Sequence, residues 1–184
     1  LEKKSNCELI MISDFPKDVI REYSNHKNIK LIKANLTRKE LARYFQNVDI
    51  FVYPTRIDTF GFVLLEAMAH KLPIISTNLY AIPEIIEDGK TGFLVNPLIE
   101  WYTKDGKPLL DDDIKKYICS YQKYYSKNKE KYIKEIVEKI ELLIKNKKMR
   151  EKMGEKGFKQ IKDGKFSIKE RNKKLRKIYE EAIK

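Results

Sequence analysis

The sequence has few cysteines and no long apolar run, and each absence excludes a class of protein. Cys7 and Cys119 are its only cysteines among 184 residues. They lie far apart and outside any CxxC pattern, which argues against a disulfide framework and a zinc site. The longest apolar candidate, residues 60–69, is too short to cross a bilayer and contains Glu66. We therefore expect a soluble protein of a reducing compartment, the cytoplasm.

The N-terminal residues lack both an initiator methionine and the apolar core of a signal peptide. We therefore expect no secretion signal, and we expect the chain to be a piece of a longer protein. Its length and its 42% of hydrophobic residues suffice for one structural domain with a core.

The net charge of +12 is unevenly distributed. Residues 1–100 hold 13 basic and 13 acidic residues, whereas residues 101–184 hold 26 and 14. Lysine outnumbers arginine by 32 to 7, and arginine is the preferred reader of phosphates and bases. We therefore interpret the basic residues as solvated faces and expect no nucleic-acid partner. A weak contact with the anionic inner face of a membrane is a further hypothesis.

The neutral half alternates strand and helix patterns. Short apolar runs predict strands, and a capping box at Thr37 and Glu40 opens an amphipathic helix. A second helix is expected over residues 61–70. This alternation predicts an α/β fold, a Rossmann-like open parallel sheet with flanking helices, whose ligands bind beyond the carboxyl ends of the strands. The strands are predicted at residues 7–12, 29–33, 49–53, 73–77 and 92–95.

Glu66 is the one carboxylate in a helix that is apolar nearly all round. Such a helix should be buried, and a buried carboxylate needs a partner that replaces its lost hydration. Two interpretations have about even weight. Glu66 either accepts hydrogen bonds from the backbone or a cation in the core, or it lies in a cleft and binds the hydroxyl groups of a ligand.

The segment Asp58-Thr59-Phe60-Gly61 leads from the third strand into this helix. Gly61 permits close approach of a ligand to the backbone, and free N–H groups at a helix N-terminus suit an anion. The more common role for an aspartate at this position is that of a helix cap, so both interpretations of Asp58 stay open.

Several linked motifs between residues 49 and 97 closely resemble the donor-binding half of retaining GT-B glycosyltransferases of the group 1 type. They are DTFGFVLLEAMA at 58–69, LPIIST at 72–77, IPE at 82–84 and the stretch 89–95. The resemblance also covers the final segment loosely, at residues 148–150 and 166–167. It implies one half of a GT-B fold with a helical C-terminal extension.

This resemblance assigns roles to individual residues. Asp58 and Glu66 match the spacing of the E-x7-E pair that binds a nucleotide sugar in that family. Asp58 is then the catalytic-site residue that contacts the transferred sugar, and Glu66 holds the ribose hydroxyls. The backbone N–H groups that meet the sugar and the diphosphate are those of Phe60, Gly61, Phe62 and Val63. The resemblance implies no cofactor and no metal.

By the same resemblance, the whole enzyme transfers a hexose from a UDP-, GDP- or ADP-linked donor to a glycan or a lipid-linked saccharide. An N-terminal domain outside this chain would bind the acceptor, so we expect the fragment alone to be inactive. One alternative is a non-catalytic module that senses a nucleotide sugar or binds a partner. A third is a basic nucleic-acid binder.

The sequence departs from the family pattern at several places. The first acid of the pair is Asp58, an aspartate where the family has glutamate, and the loop 13–16 lacks the usual glycines. Lys71 stands where a glycine usually follows the helix, and residues 78–81 replace a glycine-rich turn. The first strand, whose loop carries an arginine and a lysine that clamp the diphosphate, would precede this chain. We therefore expect two inner strands to lack a neighbour.

The rest of the chain is predicted to be helical. Residues 1–100 form the donor-binding core, 101–131 an insertion with a Tyr- and Lys-rich helix, and 132–184 C-terminal helices that pack on the core. The tyrosines suit a lipid headgroup interface or a base-stacking platform, but the favoured interpretation is that they pack on the domain with their hydroxyls outward. Core-facing stripes are predicted at Ile133, Ile136, Val137, Ile140, Leu143 and Ile144, and at Leu175, Ile178, Tyr179 and Ala182.

Overall fold

The computed structural model describes residues 7–56, 58–97 and 114–183, with only the backbone described for 114–127. The chain divides into two compact units, Leu1–Tyr44 and Phe45–Lys184. Residues 98–113, which include the first part of the predicted insertion, lie outside the described residues. The side chain of Cys119 also lies outside the described part of the chain.

The first unit contains two parallel strands. Strand β1 (Leu9–Ile12) precedes helix α1 (Lys17–Tyr23), and strand β2 (Ile29–Ile32) precedes helix α2 (Arg38–Gln46), whose last residues enter the second unit. The register of the strands places Leu9 opposite Ile29. Both strands are predicted from their apolar runs. The predicted range exceeds the observed strand by two residues for β1 and by one residue for β2.

The predicted capping box at the start of α2 is confirmed. The backbone N–H of Thr37 donates to Glu40 Oε2 over 2.8 Å, and the N–H of Glu40 donates to Thr37 Oγ1 over 3.3 Å. The hydrogen bonds from Thr37 also lower the pKa of Glu40. These bonds satisfy two N–H groups that an uncapped helix end would leave unpaired.

The second unit holds a parallel sheet of strand order β3-β4-β5. Its elements alternate along the chain, so the predicted α/β class with Rossmann-like parallel sheets is confirmed. Every residue of β4, the central strand, is buried, as expected for a strand covered on both faces. The elements are β3 (Phe51–Tyr53), α3 (Phe62–Ala69), β4 (Ile74–Thr77), α4 (Ile82–Ile85) and β5 (Gly92–Val95).

Among the described residues the five strands form two separate sheets, where the alternation alone predicts one. Consequently β3 pairs only with β4, and β1 only with β2. This arrangement agrees with the expectation that two strands lack a neighbour.

Helix α5 (Ile114–Lys145) is one continuous helix of 32 residues. The prediction of two helices with a boundary near residue 131 is therefore wrong. No glycine or proline interrupts this stretch, so the backbone has no residue that favours a break. Its predicted core stripe is confirmed at Leu143, which is fully buried, and at Ile136 and Ile140, which pack together with Tyr132 against the core formed by Ile75, Phe93, Val95, Leu143 and Met153. The stripe is wrong at Ile133, which is 52% exposed.

Two capped helices complete the chain. Asn146 accepts the N–H of Met149 at the start of α6 (Lys147–Lys162), and Ser167 accepts that of Glu170 at the start of α7 (Ile168–Ala182). Within the described part of the chain, no helix is long and apolar enough to cross a membrane.

The predicted core stripe of α7 is wrong. Leu175 is 40% exposed, Ile178 58% and Tyr179 64%. A periodic stripe shows that a helix is amphipathic, but it does not show what the apolar face contacts. Leu175 and Tyr179 instead line an open groove of about 390 Å³.

Lys71 ends α3 in the left-handed conformation, with φ = 59°. Its N–H donates to the carbonyl of Met68, and that of Leu72 donates to Ala67. This is the Schellman pattern that usually requires glycine. The Lys71 side chain forms an ion pair with Glu155 at 2.7 Å and lies over the ring of Phe158.

We expect Lys71→Gly to be more stable than Lys71→Ala by about 1 kcal/mol. Both variants lose the contacts of the lysine side chain, but only alanine keeps a Cβ in the left-handed conformation. Urea unfolding of the two variants measures the difference. Equal stabilities would show that the helix end relaxes to another conformation.

Candidate functional site

The chain turns sharply between the end of β3 and the start of α3, and one carboxylate holds the turn. Asp58 Oδ1 accepts the backbone N–H groups of Phe60 over 3.0 Å and Gly61 over 2.8 Å. Its Oδ2 accepts the hydroxyl of Tyr53 over 2.6 Å. Gly61 has φ = 82°, a conformation that favours glycine. Asp58 is not the helix cap: Gly61 occupies the N-cap position of α3, and no side chain caps that end. The bonds of Asp58 instead hold the turn that precedes the helix.

The charge state of Asp58 follows from these bonds. Partial burial works against ionisation, but hydrogen bonds from the Tyr53 hydroxyl and from the N–H groups of Phe60, Gly61 and Thr59 outweigh it and lower the pKa of Asp58. Burial, followed by the bond to Asp58, raises the pKa of Tyr53. Asp58 is therefore an anion and Tyr53 a neutral donor at neutral pH.

We expect Asp58 to contribute to stability at neutral pH and to lose that contribution in acid. Its pKa is lower in the folded chain than in the unfolded one, so the contribution is present above the unfolded pKa and disappears as the pH falls through the folded pKa. In urea unfolding between pH 7 and pH 2, the free energy of unfolding should fall less steeply with decreasing pH for Asp58→Asn than for the wild type. The same pH dependence in both proteins would contradict the assigned bonds.

The four predicted backbone donors divide into two pairs. The N–H groups of Phe60 and Gly61 already donate to Asp58. Those of Phe62 and Val63 belong to the first two residues of α3, which have no acceptor one turn earlier within the helix. Among the described residues neither has another acceptor. The structure therefore leaves two of the four donors open to a ligand.

Glu66 is exposed, so the expectation that this helix buries it is wrong, and of its two interpretations the one with a partner in the core is excluded. Only one side of α3 is covered: Leu64, Ala67 and Met68 are buried. Phe62, 73% exposed, lies one turn before Glu66 on the uncovered side. Water hydrates the carboxylate, and within the described residues no ion pair holds it. Its oxygens are available to a ligand.

Two tyrosines near the carboxyl end of β4 were not predicted as site residues from the sequence. The Tyr132 hydroxyl lies 3.1 Å from Thr77 Oγ1, which brings α5 to this end of the sheet. Tyr80 has φ = 50°, so the turn at 78–81 keeps a left-handed residue without glycine, at a cost of about 1–2 kcal/mol. Tyr132 lies four residues before Ile136 of the α5 stripe, on the same side of the helix, which was a usable signal. Nothing local marked Tyr80.

Chemically, the start of α3 combines two open N–H donors, the positive end of a helix and an exposed carboxylate one turn further on. The first two features suit a phosphate, and the carboxylate suits vicinal hydroxyls. In the part of the chain that the structure describes, no three His, Cys, Asp or Glu side chains are grouped to hold a metal ion.

Comparison with known proteins decides the family. The family model described as glycosyl transferases group 1 matches residues 1–103, more than half of the chain. The chain belongs to this family. The capsular polysaccharide biosynthesis glycosyltransferase CapM of Staphylococcus aureus is 28% identical over 161 residues, which cover 88% of this chain and 33% of CapM. The matched segments span a third or less of the curated relatives.

Solved structures share the fold. The C-terminal domain of the group 1 glycosyltransferase LpcC from Francisella tularensis has a TM-score of 0.52 and 26% identity, covering 77% of this chain and 55% of that one. HepE of Anabaena, solved in complex with UDP-glucose, has a TM-score of 0.55 and 13% identity, covering 97% of this chain and 42% of HepE. The second likeness concerns the fold alone.

Proposed function

We propose that this chain is the donor-binding part of a retaining glycosyltransferase that takes its sugar from a nucleoside diphosphate. The observation that carries the proposal is the start of α3, where two open N–H groups precede an exposed carboxylate in a chain of the group 1 family. The complex of HepE with UDP-glucose supports a nucleotide-sugar ligand for this fold.

The N–H groups of Phe62 and Val63 bind the diphosphate in this proposal. A helix N-terminus carries about half a positive charge in addition to its unpaired donors. When the glycosidic bond to the diphosphate breaks, negative charge develops on the departing oxygen. Donors fixed before the reaction stabilise that charge more than they stabilise the intact donor, which lowers the barrier.

Glu66 accepts the two ribose hydroxyls in this proposal. A carboxylate has two oxygens and matches a vicinal diol, which presents two O–H donors. The exposed ring of Phe62 lies one turn earlier on the same side of α3 and offers an apolar surface beside the carboxylate.

Asp58 contacts the transferred sugar through Oδ2. That oxygen accepts the Tyr53 hydroxyl and has a second lone pair that a sugar hydroxyl can use. The N–H groups of Phe60 and Gly61 support Asp58 instead of touching the ligand, which refines the role that the family resemblance implies for them. The retaining outcome rests on the family resemblance of the Asp58 and Glu66 spacing.

The acceptor and the complete reaction belong to a longer protein in this proposal. Because the chain matches a third or less of its curated relatives, we propose that a further domain binds a glycan or a lipid-linked saccharide. The 184-residue chain then binds the donor without turning it over. The excess of lysine in the second half supports a weak contact with an anionic membrane.

Calorimetric titration of the chain with UDP-, GDP- and ADP-glucose tests the proposal. We expect one of them to bind, to be displaced by its own nucleoside diphosphate and to remain unhydrolysed. Circular dichroism of the same sample establishes that the chain is folded. A folded chain that binds none of the three overturns the proposal and favours a partner-binding module.

A further inference from the structure

Tyr53 connects the end of the sheet to the start of α3. It is the last residue of β3, and its hydroxyl donates to Asp58 Oδ2 over 2.6 Å. The other oxygen of Asp58 accepts the N–H groups of Phe60 and Gly61. A single carboxylate therefore joins the strand to the turn, and Tyr53 supplies the bond from the strand side.

The position of the Tyr53 hydroxyl is fixed by the sheet. Tyr53 pairs with Ser76 in the register of β3 and β4, and the Ser76 hydroxyl donates to the Tyr53 carbonyl over 2.8 Å. Its ring stacks on that of Phe51, with centroids 6.1 Å apart and planes 13° apart. Because Ser76 belongs to a fully buried strand, the backbone of Tyr53 is anchored to the buried centre of the sheet.

We propose that Tyr53 is a positioning residue of the donor site. Its hydroxyl holds Asp58 in the orientation that shapes the turn at residues 58–61 before any ligand arrives. This turn orients the N–H groups of Phe62 and Val63, and the free lone pair of Asp58 Oδ2, to bind a nucleotide sugar. This inference rests on the proposed function of the site.

The physical benefit is preorganisation. Without the phenol, the Asp58 carboxylate keeps its bonds to the N–H groups of Phe60 and Gly61 on Oδ1, but Oδ2 loses its side-chain partner. Binding must then order the carboxylate, which lowers affinity. The effect should be larger for the nucleotide sugar than for the nucleoside diphosphate, because Asp58 contacts the sugar.

The first test uses the free 184-residue chain. Tyr53→Phe removes one oxygen and keeps the ring. Carbon-13 NMR of the Asp58 carboxyl should show its titration move upward towards the ordinary aspartate range, since one of the bonds that stabilise the anion is lost. Amide exchange at Phe60 and Gly61 should become faster. Tyr179→Phe, which alters an exposed tyrosine of α7, should change neither signal. An unaltered Asp58 titration in Tyr53→Phe overturns the proposal.

The second test is a double-mutant cycle on affinity, measured with whichever of UDP-, GDP- and ADP-glucose the wild type binds. Tyr53→Phe should weaken its binding by about tenfold and that of the matching diphosphate by less. In the Asp58→Asn background the same change should have little further effect, because the phenol acts through Asp58.

These outcomes separate the two proposals. A folded wild-type chain that binds no nucleotide sugar overturns the proposed function, and this role with it. A wild-type chain that binds, together with a Tyr53→Phe variant that binds equally well, overturns the positioning role alone. Additive effects of Tyr53→Phe and Asp58→Asn would likewise show that the phenol does not act through Asp58.

Discussion

Glu66→Ala should weaken binding of the nucleotide sugar by about 10- to 100-fold while leaving the stability of the chain unchanged. Removing an ionised acceptor of two hydroxyl groups costs about 1.5–3 kcal/mol of binding free energy. Stability should not change because Glu66 is exposed on the uncovered side of α3. Calorimetry measures the affinity, and urea unfolding measures the stability.

The matched control for Glu66 is Glu180→Ala. Glu180 is an exposed helical carboxylate in α7, far along the chain from the proposed site. Its removal changes the net charge by the same amount and should leave affinity within twofold. If the two variants lose affinity equally, the effect of Glu66→Ala is one of general charge, and the ribose role of Glu66 is refuted.

Gly154→Ala should destabilise the second unit by about 3 kcal/mol or more. Helix α6 approaches the end of α3 so closely that a Cβ on Gly154 would lie 1.8 Å from the carbonyl oxygen of Lys71. The obstacle is backbone, which cannot move aside as a side chain can. Alanine by itself would stabilise the helix by about 1 kcal/mol relative to glycine. Any decrease in the free energy of unfolding, measured in urea, therefore reports the clash.

Gly157→Ala is the control within the same helix. A Cβ there would lie 3.2 Å from Met68 Cγ, the nearest atom, and a flexible methionine side chain can shift by a few tenths of an ångström. We expect a change within about 1 kcal/mol in either direction. Equal losses at the two positions would mean that α6 does not pack on Lys71 as described.

The local elements were predictable because short-range chemistry determines them. Short apolar runs predict the five strands that the structure describes, and the reciprocal bonds of Thr37 and Glu40 form as their spacing predicts. The turn at Asp58 and Gly61 was found for the same reason: a short polar side chain followed by glycine just before an apolar run has few other uses.

Burial could not be predicted from these patterns. The helix containing Glu66 is apolar nearly all round, which suggested a buried carboxylate, yet α3 is covered on one side only. The stripe of α7 suggested core packing for Leu175 and Ile178, which are exposed. In both cases the sequence shows where the apolar residues lie around the helix. Which of its faces is covered depends on elements far along the chain that pack against it.

The site was predictable in place but not in detail. The sequence located the segment from Asp58 to Glu66. It did not show that the Tyr53 hydroxyl donates to Asp58, because that bond depends on how β3 and the turn are folded relative to each other. Likewise, the Lys71 side chain contacts Glu155 and Phe158 of α6, residues far along the chain that no local pattern at Lys71 indicates.

The amide resonances of Phe62 and Val63 test the central claim most directly. In a titration of the isotopically labelled chain with UDP-, GDP- and ADP-glucose, the donor that binds should shift these two N–H signals downfield and slow their exchange with water. The diphosphate alone should shift them nearly as far, and Glu66→Ala should require a higher concentration for the same shift. Saturable binding that leaves both signals unmoved would contradict the account.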